Sequence, residues 1–364
     1  MERKKIWILT SMLVIMAMVL VACGATPTPT QPVEAPVVQP TVAQSVATEQ
    51  PANKPTELKI AVGMHVLEEA WTTGLLQSLD RIIAEKPYGL NISYDITENI
   101  NDADAERVFG QLAATGKYQI IWAHSTYSEF IKPLMAEYPD IVWVCAGAGN
   151  EALGKNMYYM EITGYESAYL VGMLAGLMTE TDNVGTVAEY PFPIMNSLIN
   201  AYFDGAKAVN PNVKTQFAFI ESWYDPAKAI ESTKAQFANG ADMFYSQPIG
   251  PIEACKEAKK WCFGSYVDQY DLGPEVVLTS VVIKWDPHIM TVIDAWWNHV
   301  VNGTPYDAPL EPVLFKLAEG GTDLAPFHGH EADIPEDVMK QVMDARQAMI
   351  DGTLVVNFNG EEPK

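Results

Sequence analysis

Short apolar runs alternate with amphipathic stretches along this chain from Leu58 onward. Leu58-Lys59-Ile60-Ala61-Val62 predicts a first strand, and the recurrence of Leu75, Leu76, Leu79, Ile82 and Ile83 predicts a helix over Trp71 to Glu85. Ile92 to Ile96 predicts a second strand. A helix from Asp102 to Thr115 follows, opened by acidic side chains that suit the positive end of its dipole. Tyr118 to Trp122 and Ile141 to Cys145 predict strands on either side of a helix over Ser128 to Glu137. The alternation then restarts, with helices over Tyr165 to Thr179, Met195 to Val209, Pro226 to Asn239 and Ile252 to Lys260. Between and after them, Asn183 to Ala188, Thr215 to Ile220, Met243 to Ser246, Phe263 to Tyr266 and Val276 to Val282 predict strands. Helices over His288 to Val301 and Pro335 to Asp351 complete the pattern. Strands regularly separated by helices predict an α/β fold with doubly wound, mostly parallel sheets. Two such series predict two lobes, with a ligand cleft outside the carboxyl ends of the strands.

Upstream of this body the pattern changes twice. Arg3, Lys4 and Lys5 precede an apolar run from Ile6 to Val21, too short for a comfortable membrane span and shaped like a secretory signal over residues 1–22. It ends Leu20-Val21-Ala22-Cys23, which resembles a bacterial lipobox; Cys23 would then become the lipidated first residue of the mature chain. Residues 23–56 alternate Pro, Thr, Val, Ala and Gln without periodic apolar positions, as expected of an extended, disordered tether between an anchor and a folded body.

Charge removes one class of partner. Without residues 1–22, which hold three basic side chains and one acidic one, Lys+Arg falls from 23 to 20 and Asp+Glu from 46 to 45, a net charge of −25. Nucleic acid is therefore not an expected partner, since phosphate backbones require a basic face. Cys145 lies in the apolar run Ile141-Val142-Trp143-Val144-Cys145 and reads as a buried structural thiol. Cys255 and Cys262 bracket a helix end and the next strand, and the spacing leaves open whether they pair. No clustered His/Cys spacing predicts a metal, and His328-Gly329-His330 lacks a third ligand nearby. There is no G-x-S-x-G, HExxH, P-loop or G-x-G-x-x-G after the first strand, so neither an enzyme nor a cofactor is expected.

Several segments together resemble the BMP (basic membrane protein) family of substrate-binding lipoproteins, which serve ABC importers for purine nucleosides and related bases. The resemblance covers about Leu58 to Phe358. It rests on Tyr165-Glu166-Ser167-Ala168-Tyr169-Leu170-Val171-Gly172, Asn183-Val184-Gly185 and Gly205-Ala206-Lys207-Ala208-Val209-Asn210-Pro211. Asp225-Pro226, Gly240-Ala241-Asp242, Asp268-Gln269 and Leu278-Thr279-Ser280 follow in order. It implies a two-lobed type I periplasmic-binding-protein fold with three crossovers, lobe 1 being 57–162 plus 284–315 and lobe 2 being 163–283 plus 316–364. It also implies an extracytoplasmic, lipid-anchored monomer that hands a small molecule to an ABC permease and ATPase.

The resemblance further implies where a ligand is held. An Asp-x-Ser-Phe-Asn type motif after the first strand corresponds to Glu69-Ala70-Trp71-Thr72-Thr73, so Trp71 would stack on a purine while Thr72 reads its edge. Together with Ser222-Trp223-Tyr224-Asp225-Pro226 and Tyr190-Pro191-Phe192-Pro193, this variant looks closer to relatives that take free adenine. Tyr245 matches a second stacking aromatic, with Phe244 turned the other way into the core and Gln247 back on the Tyr245 face. Asp268 matches an acid that holds ribose hydroxyls. Lys284 roughly matches a sugar-contacting lysine, but Trp285-Asp286-Pro287 beside it follows the base-binding relatives and makes it a surface or hinge residue. Tyr190, Phe192, His124 and Ser125 end strands where ligand loops fall. Riboflavin or another flat heterocycle, taken up by a binder or a sensor of the same fold, is the alternative ligand reading.

Overall fold

The computed structural model describes residues 54–364, so the signal segment, Cys23 and most of the tether lie outside the described residues. Strands β1 (Glu57–Met64), β2 (Asn91–Thr97), β3 (Ile120–His124), β4 (Val142–Ala146) and β5 (Met157–Met160) form a first sheet in the order β2-β1-β3-β4-β5, all parallel. Helices α1 (Ala70–Glu85), α2 (Asp102–Ala114) and α3 (Ser128–Glu137) connect its first four strands. Such a sheet is covered on both faces, which is why β3 and β4 are buried at every position.

Helix α4 (Tyr165–Met178) leads into a second sheet. It contains β6 (Asn183–Ala188), β7 (Lys214–Phe219), β8 (Met243–Ser246), β9 (Trp261–Tyr266), β10 (Val277–Ile283) and β11 (Thr322–Leu324), in the order β11-β10-β9-β8-β6-β7. Helices α5 (Pro193–Val209), α6 (Pro226–Ala238) and α7 (Pro251–Ala258) link the parallel strands, and β11 alone runs antiparallel, on β10. After β10 the chain returns to the first sheet: α8 (Asp286–Asn302) packs on α1, while α9 (Glu336–Ile350) packs on α4. This is the expected α/β architecture. Strands β5 and β11, too short to show in the apolar pattern, are additions to it.

Two features of the resemblance segments have a packing reason. A Cβ on Gly172 of α4 would overlap the backbone carbonyl of Tyr202, and one on Gly205 of α5 would overlap that of Tyr169. The two helices therefore approach backbone to backbone, which only glycine permits at those positions. Their buried faces join a core that runs through both sheets, from Leu58 and Ile60 to Leu278 and Trp285.

Two bidentate ion pairs fasten the returning segments. Arg81 of α1 donates from Nε and Nη2 to Asp286 at 2.8 and 2.7 Å, with Ser78 adding a hydrogen bond to the same carboxylate. Burial alone would raise the Asp286 carboxyl, but the bonds from Arg81 and Ser78 outweigh it and hold the group below its usual range. Arg346 of α9 grips Asp323 of β11 in the same fork, both distances 2.7 Å. Cys145, Cys255 and Cys262 are buried free thiols. Among the described residues no helix is long and apolar enough to cross a membrane, and no three metal-ligating side chains gather.

Candidate ligand-binding site

The carboxyl ends of both sheets face one cavity of about 880 Å³, part of it open to solvent. The first sheet contributes the loop from β1 into α1, with Glu69, Trp71 and Thr72, and the ends of β3 and β4. The second contributes Glu189 after β6, Trp223 and Tyr224 after β7, Gln247 after β8 and Tyr266 at the end of β9. Loops at parallel strand ends are the usual place for a ligand in such sheets.

Trp71 sits at the start of α1, where its indole stacks on His124 with ring centroids 4.7 Å apart and planes 16° from parallel. Trp285 and Tyr266 meet the same indole edge-on, at 4.8 and 6.3 Å. Gly147, at φ +112, lies close to the indole: a Cβ there would come 3.3 Å from Trp71 Cζ2. Asn150 ties the adjoining loops, since its Oδ1 accepts from the amides of Tyr127 and Ser128 and its Nδ2 donates to the carbonyls of Ser125 and Gly147.

The polar groups are fixed in orientation. Trp122 Nε1 can only donate, so His124 Nδ1 accepts from it at 3.2 Å and the imidazole proton sits on Nε2, a buried atom with no partner. Burial pushes His124 down to about 3, so it is neutral. Thr72 spends its hydroxyl proton on the Val66 carbonyl. Thr186 Oγ1 donates to the Tyr245 carbonyl and so accepts from Gln247 Nε2, which leaves Gln247 Oε1 buried and unpartnered.

Three carboxyls share the cavity. Burial pushes Glu69 up to about 7, Glu161 to about 7 and Glu189 to about 8. Glu161 accepts from the Ile162 amide and the Tyr159 hydroxyl, whereas Glu189 Oε2 is buried with no partner. No lysine or arginine lines the cavity.

Of the residues singled out in the sequence, Trp71, Thr72, His124, Ser125 and Gln247 line this cavity. Tyr245 does not: it is fully buried in the core, 5.4 Å from the Tyr202 ring, with its hydroxyl 3.1 Å from Ser265 Oγ. Strand β8 is covered on both faces, so the side opposite Phe244 is also interior. Asp268 is exposed and bonded to His328 Nε2 at 2.6 Å, away from the cavity. Tyr190 and Phe192 do not line it; they pack on Trp223 with centroids 4.8 and 5.8 Å away. Glu161, Glu189 and Tyr266 line the cavity without having been picked out. Each lies at or just beyond a strand end, the one signal that marks them. Tyr266 holds a left-handed φ of 68° there, a strained conformation for a tyrosine.

Two mostly parallel sheets presenting their strand ends to one cavity define the solute-binding-protein fold of periplasmic type. A solved ABC transporter solute-binding protein from Conexibacter woesei superposes with a TM-score of 0.67 at 20% identity, covering 84% of this chain and all of that one. The chain belongs to the Bmp family, described as ABC transporter substrate-binding protein PnrA-like, whose model matches residues 65–304. It is 25% identical over 273 residues to a purine-binding protein of Brucella abortus, 73% of each chain. It is 28% identical over 223 residues to a putative ABC transporter glucose-binding protein of Haloferax volcanii, covering 58% of this chain and 56% of that one. Members of this class act outside the cytoplasm with a permease and an ATPase, binding a small solute rather than transforming it.

Proposed function

We propose that the protein captures a purine base or nucleoside, an adenine-like base above all, and delivers it to its permease. The observation that carries this reading is the indole of Trp71, a flat face set inside a cavity where three buried polar atoms, His124 Nε2, Glu189 Oε2 and Gln247 Oε1, lack partners. A stacked base gains about 1–3 kcal/mol from such a ring. Tyr266, Trp223 and Tyr224 wall the cavity from the second sheet, in the role the sequence had assigned to Tyr245. The purine-binding relative points the same way.

Lobe 1 (57–162 plus 284–315) and lobe 2 (163–283 plus 316–364) then close on the ligand, shifting the population toward the form a permease recognises. Cys23 carries the lipid anchor, and residues 23–56 tether a monomeric body to the membrane. Identification by mass spectrometry of the small molecule released on denaturing the purified protein tests the reading. A purine is expected; a sugar or an amino acid overturns it.

A further inference from the structure

The cavity holds three carboxyls and neither lysine nor arginine, and two of its buried acceptor atoms, Glu189 Oε2 and Gln247 Oε1, have no partner. Both line the same cavity, Glu189 one residue beyond the end of β6 and Gln247 one beyond the end of β8, and those two strands are parallel neighbours in the sheet. Glu189 is only 6% exposed, and nothing donates to its free oxygen. An ionised carboxylate in that position would be desolvated, unpaired and close to other acids, so the protonated form is the stable one.

Resting on the purine reading above, we propose that Glu189 meets the ligand as an uncharged carboxylic acid. Its O–H donates to a ring nitrogen, its carbonyl accepts one N–H of an exocyclic amine, and Gln247 Oε1 accepts the other. That acceptor–donor–donor edge belongs to an aminopurine such as adenine. Hypoxanthine, which carries oxygen where adenine carries the amine, can pair with the acid through O6 and N1–H but offers Gln247 Oε1 no N–H to accept. A site built to bond an amine discriminates against the analogue lacking it, because its own buried acceptor is left unpaired.

The groups around Glu189 support the protonated form. Burial drives its carboxyl up to about 8, and Glu69, at the head of α1, adds repulsion. The phenols of Tyr245 on β8 and Tyr266 on β9 are themselves raised by burial and stay neutral. His124 at the end of β3 is neutral, and Glu161 beyond β5 is another raised acid. Past β7, Glu221 gives its backbone amide to the Glu189 carbonyl, and Lys228 on α6 gives its ammonium to the Ile220 carbonyl.

Calorimetric titration of the protein with adenine and with hypoxanthine from pH 6 to 9 tests the inference, using wild type, Glu189→Gln and Gln247→Met. Wild type should bind adenine at least about 10-fold more tightly than hypoxanthine at pH 6.5. Its adenine affinity should fall above about pH 8, as ionised Glu189 turns lone pairs toward the ring nitrogen. Glu189→Gln, which keeps one donor and one acceptor, should bind adenine without that fall, and Gln247→Met should lose the preference for adenine. An unchanged pH slope in Glu189→Gln, or equal affinities for the two bases in wild type, overturns the inference and leaves the purine reading standing. A folded protein that binds neither base overturns the inference, and one that binds no purine nucleoside either overturns both.

Discussion

The indole of Trp71 lies nearly parallel to the imidazole of His124, with ring centroids 4.7 Å apart, so one of its faces is already occupied by the protein. A ligand has only the opposite face to stack on. His124 acts as a backing plate: neutral, fully buried and held by Trp122, it fixes the plane in which Trp71 waits. Binding is tighter when the receiving surface is ordered beforehand.

Removing the indole should therefore weaken ligand binding without unfolding the protein. Trp71→Ala is expected to cost about 1–3 kcal/mol, roughly 5- to 150-fold in affinity, and Trp71→Phe to recover most of it. Calorimetry reads the affinity, and circular dichroism checks the fold. Unchanged affinity in Trp71→Ala would remove the stack from the account.

Gly147 lies close to the same ring. Its φ of +112 and the 3.3 Å approach of a Cβ to Trp71 Cζ2 make Gly147→Ala both strained and crowded. A loss of about 1–3 kcal/mol in urea unfolding is expected, with weaker binding as Trp71 is pushed out of plane.

The ligand-free protein should lose stability as pH rises from about 4.5 to about 8. Glu69, Glu161 and Glu189 are raised in the folded state to about 7, 7 and 8 from 4.5, so the unfolded chain sheds their protons first. Their favourable contribution is complete below the unfolded value and disappears as pH passes the folded ones. Melting temperature measured across that range should decline in wild type and decline less in Glu189→Gln.

Asp286 has the opposite sign. Its folded value is lowered, so the stability it adds is present above the ordinary carboxylate range and is lost as pH falls through the lowered value. Asp286→Asn should cost about 1 kcal/mol near neutral pH, a modest figure because Arg81 is half exposed. Chemical denaturation at neutral and acid pH should show the gap between variant and wild type closing at the acid end.

The alternation of strand and helix was legible because strands buried on both faces, such as β3 and β8, are apolar over most of their length. Strand β5 has only four residues, and β11 has three with Asp323 in the middle, its charge neutralised by Arg346 from far along the chain. Neither carries a periodic signal. Trp71 was legible through the family motif that Glu69 to Thr73 resembles, and Gln247 through its place two residues after Tyr245; both line the cavity. Tyr245 was misleading for the same reason that made β8 easy to find: alternation says which residues share a side, not whether that side faces a cavity or a helix. Glu161 and Glu189 look like ordinary loop acids in the chain, and it is the tertiary packing around the cavity that makes them buried.

A crystal structure of the protein grown with adenine tests the central claim most directly. The account predicts the purine plane in van der Waals contact with the Trp71 face that His124 leaves open, its edge toward Glu189 and Gln247. Adenine bound elsewhere, or in this cavity but turned away from that face, would contradict it.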